Sequence, residues 1–85
     1  MQFPEDISQD VIHRLRRVEG QIRGLEKLVE QRAECRDIVI QLAAAKAALD
    51  RVGFKLVAAG IKHCAVSDAP TEDVAQLEAL FMKLS

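Results

Sequence analysis

The chain has 85 residues, 49% hydrophobic but only 4% aromatic, with no Trp and no Tyr. A core built mainly from Ala, Leu, Val and Ile in so short a chain is thin, so the fold calls for a disulfide, a metal or a second copy, and an obligate oligomer is the first expectation. The net charge of −1 argues against nucleic acid until its distribution is counted: residues 1–10 carry −3, residues 11–62 carry +5 and residues 63–85 carry −3. Local basic clustering, more than the total, is what phosphate binding requires. No run approaches the roughly 18 uncharged apolar residues of a membrane span. The acidic start, MQFPEDISQD, is not a secretory signal, so a cytoplasmic protein without membrane association is expected. In that compartment two cysteines are reactive, ligating or simply buried more often than they form a structural bridge.

The first segment, about residues 6–31, reads as a helix. Ile7, Val11, Leu15, Val18, Ile22, Leu25 and Val29 recur at steps of three and four and form one apolar stripe. Asp6 or Ser8 is the expected cap, and Glu5, Asp6 and Asp10 suit the positive helix start. Gly20 and Gly24 form a small-xxx-small pair that would permit close helix approach. A break is expected at Arg32–Glu34.

A second helix, about residues 35–63, carries a heptad-like seam of Ile38, Leu42, Ala45, Leu49, Val52, Leu56 and Ala59. Its LAAAKAALD run is strongly helix-forming. After a second break at Ser67–Pro70, a short third helix over 71–84 has Val74, Leu77, Leu80, Phe81 and Leu84 on its apolar side. There is no strand-like alternation. The fold class expected is therefore all-α, a single domain over residues 1–85. Its two long helices form a hairpin whose open face must be buried against a partner, as in an antiparallel four-helix bundle.

Cys35 opens the second helix and Cys64 lies near its end. Twenty-nine residues of helix separate them by roughly 40 Å, so they cannot meet within one chain. In an antiparallel dimer, Cys35 of one protomer approaches Cys64 of the other, and two-fold symmetry gives two equivalent sites. The helix start and the flanking Arg32 and Arg36 favour the Cys35 thiolate. That suits Cys35 as the attacking group and Cys64 as the resolving thiol. Two thiolates would also suit Cu(I) or Zn. The residue one turn before Cys64, Gly60, offers no ligand, and His63 points about 100° away around the helix. The spacing is equally compatible with two buried cysteines acting as small hydrophobes, and His63 reads as well as a surface histidine.

Arg14, Arg16, Arg17 and Arg23 in the first helix, with Arg51 and Lys55 one turn apart in the second, supply the basic charge. These residues serve as an ordinary solvated face or as a surface for DNA phosphates and DNA shape. There is no helix-turn-helix and no zinc finger.

The segment HRLRRVEGQIRGLEKLVE, the Cys opening ECRDIVIQLAAAKAALDRV and a second Cys 29 residues on closely resemble the CsoR/RcnR family of bacterial repressors, over about residues 10–84. The resemblance implies a non-enzymatic transcriptional repressor with a three-helix protomer. It also implies a four-helix-bundle dimer, a dimer-of-dimers tetramer, and operator double-stranded DNA released on inducer binding. Arg14 and Arg51 match basic positions that the family uses on DNA. Copper sensors place a His where this chain has Gly60 and commonly a Tyr where it has Glu34. Nickel and cobalt sensors need histidines at the positions of Gly60 and Cys64. Formaldehyde sensors use the first Cys with an N-terminal Pro amine, a place Pro4 does not hold. The branch with both cysteines and no such His is the CstR-type sensor of persulfide and polysulfide. The expectation is thus a thiol switch without a metal cofactor, acted on by sulfane-sulfur molecules. A Cu(I) repressor using Cys35, Cys64 and His63 is the alternative.

Overall fold

The computed structural model describes residues 2–66 and 71–84, the side chains of residues 64–66 excepted. Three α-helices account for nearly all of them: α1 over Glu5–Glu30, α2 over Cys35–Val66 and α3 over Thr71–Leu84. The all-α fold class is as expected, and no strand occurs among the described residues. The expected break at Ser67–Pro70 lies outside the described residues.

The ends of the helices differ from the sequence reading in instructive ways. Neither Asp6 nor Ser8 caps α1: Pro4 is the N-cap, in extended backbone, and no side chain closes the helix start. The Pro4 carbonyl accepts the Ser8 N–H at 3.0 Å, and Glu5 and Asp6 lie in the first turn, where the helix dipole favours acids. At the other end the Arg32 N–H donates to the Val29 carbonyl at 3.1 Å and the Ala33 N–H to the Leu28 carbonyl at 2.9 Å. This is a Schellman closure with Arg32, not glycine, in the left-handed region at φ 56°. The expected break at Arg32–Glu34 is this turn. α2 continues to Val66, three residues past the end read from the sequence, as one unbroken helix of 32 residues.

α1 lies along α2, and α3 packs back onto α2. The core is thin. Val11 and Val18 of α1 and Ala45 and Val52 of α2 are its buried hydrophobic residues, each pair seven residues apart, as helices packed at a small crossing angle require. The α2 seam divides. Ile38, Ala45, Val52 and Ala59 are half-buried or buried, while Leu42 and Leu49 remain 52% and 50% exposed. Phe54 is 78% exposed. The molecule measures 53 × 24 × 13 Å with a radius of gyration of 16.6 Å, against about 12 Å for a compact domain of this length. One protomer is thus a slab of two layers with an uncovered apolar face.

Two glycines of α2 receive leucines of α3. A Cβ at Gly53 would lie 3.5 Å from Leu84 Cδ1, in ordinary contact, but one at Gly60 would lie 2.6 Å from Leu77 Cδ1. Gly60 is therefore a hole for Leu77. The pairing 60 with 77 and 53 with 84 makes α3 antiparallel to α2. The expected small-xxx-small contact is half present: Gly24 approaches the Gln41 side chain, whereas Gly20 has nothing within 4 Å in the protomer.

Candidate functional site

The basic residues come together where α1 crosses the middle of α2. Arg14, Arg17 and Arg51 line one cleft with Gln21 and Ala48. Next to it, Asp10, His13, Arg14, Arg16 and Arg17 line an open cleft of about 440 Å³. Lys55 reaches the same place from α2: its Nζ lies 2.6 Å from Asp10 Oδ2, and Arg14 Nε donates to that oxygen at 3.3 Å. The hydrogen bond from Lys55, then that from Arg14, holds the Asp10 carboxyl below its ordinary value, with partial desolvation opposing. Five of the six basic residues read from the sequence thus converge on one surface. Arg23 does not: it is exposed two turns further along α1 and lines neither cleft.

Asp10 and Gln21 were not singled out from sequence as parts of this surface. The four-residue step from Asp10 to Arg14 is a readable signal. The link to Lys55 spans 45 residues and depends on the α1–α2 register. Gln21 ties the helices together, its backbone carbonyl accepting Gln41 Nε2 at 3.3 Å. Its own Oε1 is buried without a hydrogen-bond partner.

The second candidate site is on α2. Cys35 is its first residue, a free and exposed cysteine. The backbone of Cys64 lies in the same continuous helix, so the separation of roughly 40 Å holds and no bridge forms within a protomer. The Cys64 side chain lies outside the described residues. At 100° per residue the two positions stand about 20° apart around the α2 axis. They share the face that carries Leu42, Leu49, Gly53 and Gly60, half of it open and half covered by α3. His63 is half-buried, and its Nε2 lies 3.2 Å from Asp73 Oδ2 of α3. Among the described residues no three His, Cys, Asp or Glu side chains are placed to hold a metal. No helix there is long and apolar enough to cross a membrane.

The protomer thus pairs a convergent basic surface with an exposed cysteine at the head of its longest helix. Comparison with known proteins makes the class definite. The profile of the family described as metal-sensitive transcriptional repressor matches residues 7–83, and the chain belongs to that family. It is 41% identical over 59 residues to the copper-sensing transcriptional repressor CsoR of Bacillus subtilis, a match covering 69% of this chain and 57% of that one. Over 51 residues it is 41% identical to the copper-sensing transcriptional repressor RicR of Mycobacterium tuberculosis, covering 60% of this chain and 53% of that one. These matches span little more than half the length of both curated relatives.

Among solved structures, the Cu(I)-bound copper-sensing repressor CsoR of Geobacillus thermodenitrificans superposes with a TM-score of 0.82 at 31% identity, covering 98% of this chain and 91% of that one. The nickel-responsive transcriptional regulator InrS superposes with a TM-score of 0.77 at 30% identity, covering 91% of each chain. One fold therefore serves regulators named for different metals, and the inducer must be argued from the site. None of these relatives is named for sulfur sensing.

Proposed function

We propose that this protein is a cytosolic operator-binding repressor that releases DNA when Cys35 of one protomer becomes joined through sulfur to Cys64 of a second. The observation that carries this reading is the packing at Gly60. The position where copper sensors of the resembling family carry a histidine is a glycine, and the space a side chain would need is filled by Leu77. The neighbouring His63 is engaged by Asp73. What remains on that face of α2 is thiol chemistry.

The uncovered apolar face supports an antiparallel dimer, which alone brings residue 35 near residue 64 of another copy. The family resemblance extends this to a dimer of dimers. In the chemistry proposed, the Cys35 thiolate attacks a sulfane sulfur of a polysulfide. The S–S bond of the polysulfide breaks, its remainder leaves as a shorter anion, and Cys35 becomes a persulfide. Cys64 of the second protomer, as thiolate, then attacks Cys35 Sγ and expels hydrosulfide, leaving a disulfide. If the Cys35 persulfide first attacks another polysulfide, the closed bridge is longer. The polysulfide is the oxidant throughout. A covalent link between two α2 helices biases the bundle, and with it the spacing of the basic clefts, toward weaker DNA binding.

A second reading, a Cu(I)-responsive repressor, is favoured by the copper-sensing relatives. Cys35 and Cys64 of two protomers would supply two soft thiolates, with His63 as third ligand once released from Asp73. The two readings part at Cys35 and His63. With the thiol switch, Cys35→Ala abolishes release of duplex DNA by polysulfide and His63→Ala leaves it intact. Release by polysulfide in Cys35→Ala would sink the proposal.

A further inference from the structure

The cleft cations are not all available in the free protein. Among the described residues, Asp10 is the one carboxylate paired with a Lys or Arg, and both of its partners, Lys55 and Arg14, belong to the surface assigned above to DNA. The side chains of Asp10, Arg14 and Lys55 are 37%, 40% and 38% exposed. A pair so accessible is weak enough for a phosphate to displace, and Asp10 stands where an arriving phosphate oxygen would have to stand to use both cations. Arg16, Arg17 and Arg51 have no such competitor.

Building on the DNA-binding reading, we propose that Asp10 is a positioning residue that sets the strength and salt dependence of the DNA interface. Its carboxylate acts as an internal stand-in for a DNA phosphate on Lys55 and Arg14, lowering affinity for duplex of arbitrary sequence. Phosphate contacts attract every sequence alike, so a built-in competitor for them lowers affinity for duplex of any sequence and makes that affinity less salt-dependent. Contacts that read base edges or DNA shape are left untouched. Asp10 acts through its two neighbours and touches no base itself, which makes it a positioning residue of the interface.

The test uses the reduced full-length chain and a fluorescent duplex of about 30 base pairs of random sequence, with anisotropy followed over a KCl series. Asp10→Asn keeps the shape and removes the charge; Asp10→Glu keeps the charge. Each phosphate neutralised adds about 0.9 to the slope of log K against log salt. Freeing one cation per engaged protomer therefore makes Asp10→Asn lose about 3–4-fold more affinity for each engaged protomer than the native chain between ~50 and ~200 mM KCl, from a tighter starting point. Asp10→Glu restores the native slope, which a merely structural role of Asp10 would not predict. Circular dichroism checks the fold, and Asp10→Ser carries the same expectation if Asp10→Asn does not fold. A native slope in Asp10→Asn overturns the inference while leaving the DNA reading intact. Native protein that shows no salt-dependent duplex binding overturns both.

Discussion

Replacing Gly60 by Ala tests the α2–α3 packing through a stability change that depends on Leu77. On an open helix surface, Gly→Ala stabilises by about 0.8–1.0 kcal/mol, because Ala loses less backbone entropy on folding. At Gly60 the new methyl carbon would stand 2.6 Å from Leu77 Cδ1, more than 1 Å inside ordinary carbon–carbon contact. Leu77 must turn that methyl aside, and because it is the free end of a flexible side chain the cost is about 0.5–1.5 kcal/mol for an off-rotamer torsion. The gain and the cost therefore about cancel, and the expected net effect is near zero. In a Leu77→Ala background the obstacle is gone, and the same Gly60→Ala change should stabilise by about 1 kcal/mol. The double-mutant coupling is then about 1 kcal/mol.

The assay is urea or thermal unfolding of all four proteins at one protein concentration, since association shifts apparent stability. A change of 1 kcal/mol corresponds to about 4–8 °C in a domain of this size. If Gly60→Ala stabilised the native background as much as the Leu77→Ala background, Leu77 would not occupy the space over Gly60. The main support for thiol-only sensing would fall with it.

Two further outcomes follow from the same geometry. Gly60→His alone should gain little Cu(I) affinity in a competition titration with a chromophoric chelator, whereas Gly60→His combined with Leu77→Ala should gain more, because the imidazole then has room; equal gains would contradict the packing argument. For Asp10, whose carboxyl is held below its ordinary value chiefly by Lys55, the pairing contributes stability above the unfolded carboxylate value of about 3.9 and loses it as pH falls through the lower folded value. The melting-temperature difference between the native chain and Asp10→Asn should therefore be constant above about pH 5 and shrink below about pH 4; a difference that grows on acidification would contradict the ion pair.

Most of the fold was legible because it rests on periodicity. The valines at 11 and 18 and the residues at 45 and 52 are members of stripes that can be counted along the chain. The sequence did not reveal that the α2 seam divides, with Leu42 and Leu49 turned from α1. A heptad pattern marks an apolar face but not which neighbour covers each half of it. The α1 start was misread because Asp6 and Ser8 have the right chemistry for a cap while Pro4 already stops the helix. Arg32 conceals a left-handed position that glycine would have advertised.

At the site, the two cysteines and five of the six basic residues were readable from type and spacing. Arg23 shares a helical face with Arg16 yet lies beyond the clefts, a matter of how far α1 runs along α2. Gly60 read only as a missing ligand. Its matching seven-residue steps, 53 to 60 on α2 and 77 to 84 on α3, take on meaning once the helices are seen antiparallel. Asp10 read as a helix-start acid because its strongest partner, Lys55, is 45 residues away and adjacent only through tertiary structure.

The central claim is that the inducer acts by joining Cys35 and Cys64 across protomers. Its most direct test is the intact mass of reduced protein after anaerobic exposure to tetrasulfide, run beside a Cu(I) titration. The account predicts covalently linked dimers carrying zero or more added sulfur atoms, with peptide mapping that places the link at Cys35 and Cys64, and weak copper binding. Unlinked protein that instead takes up stoichiometric Cu(I) tightly would contradict it.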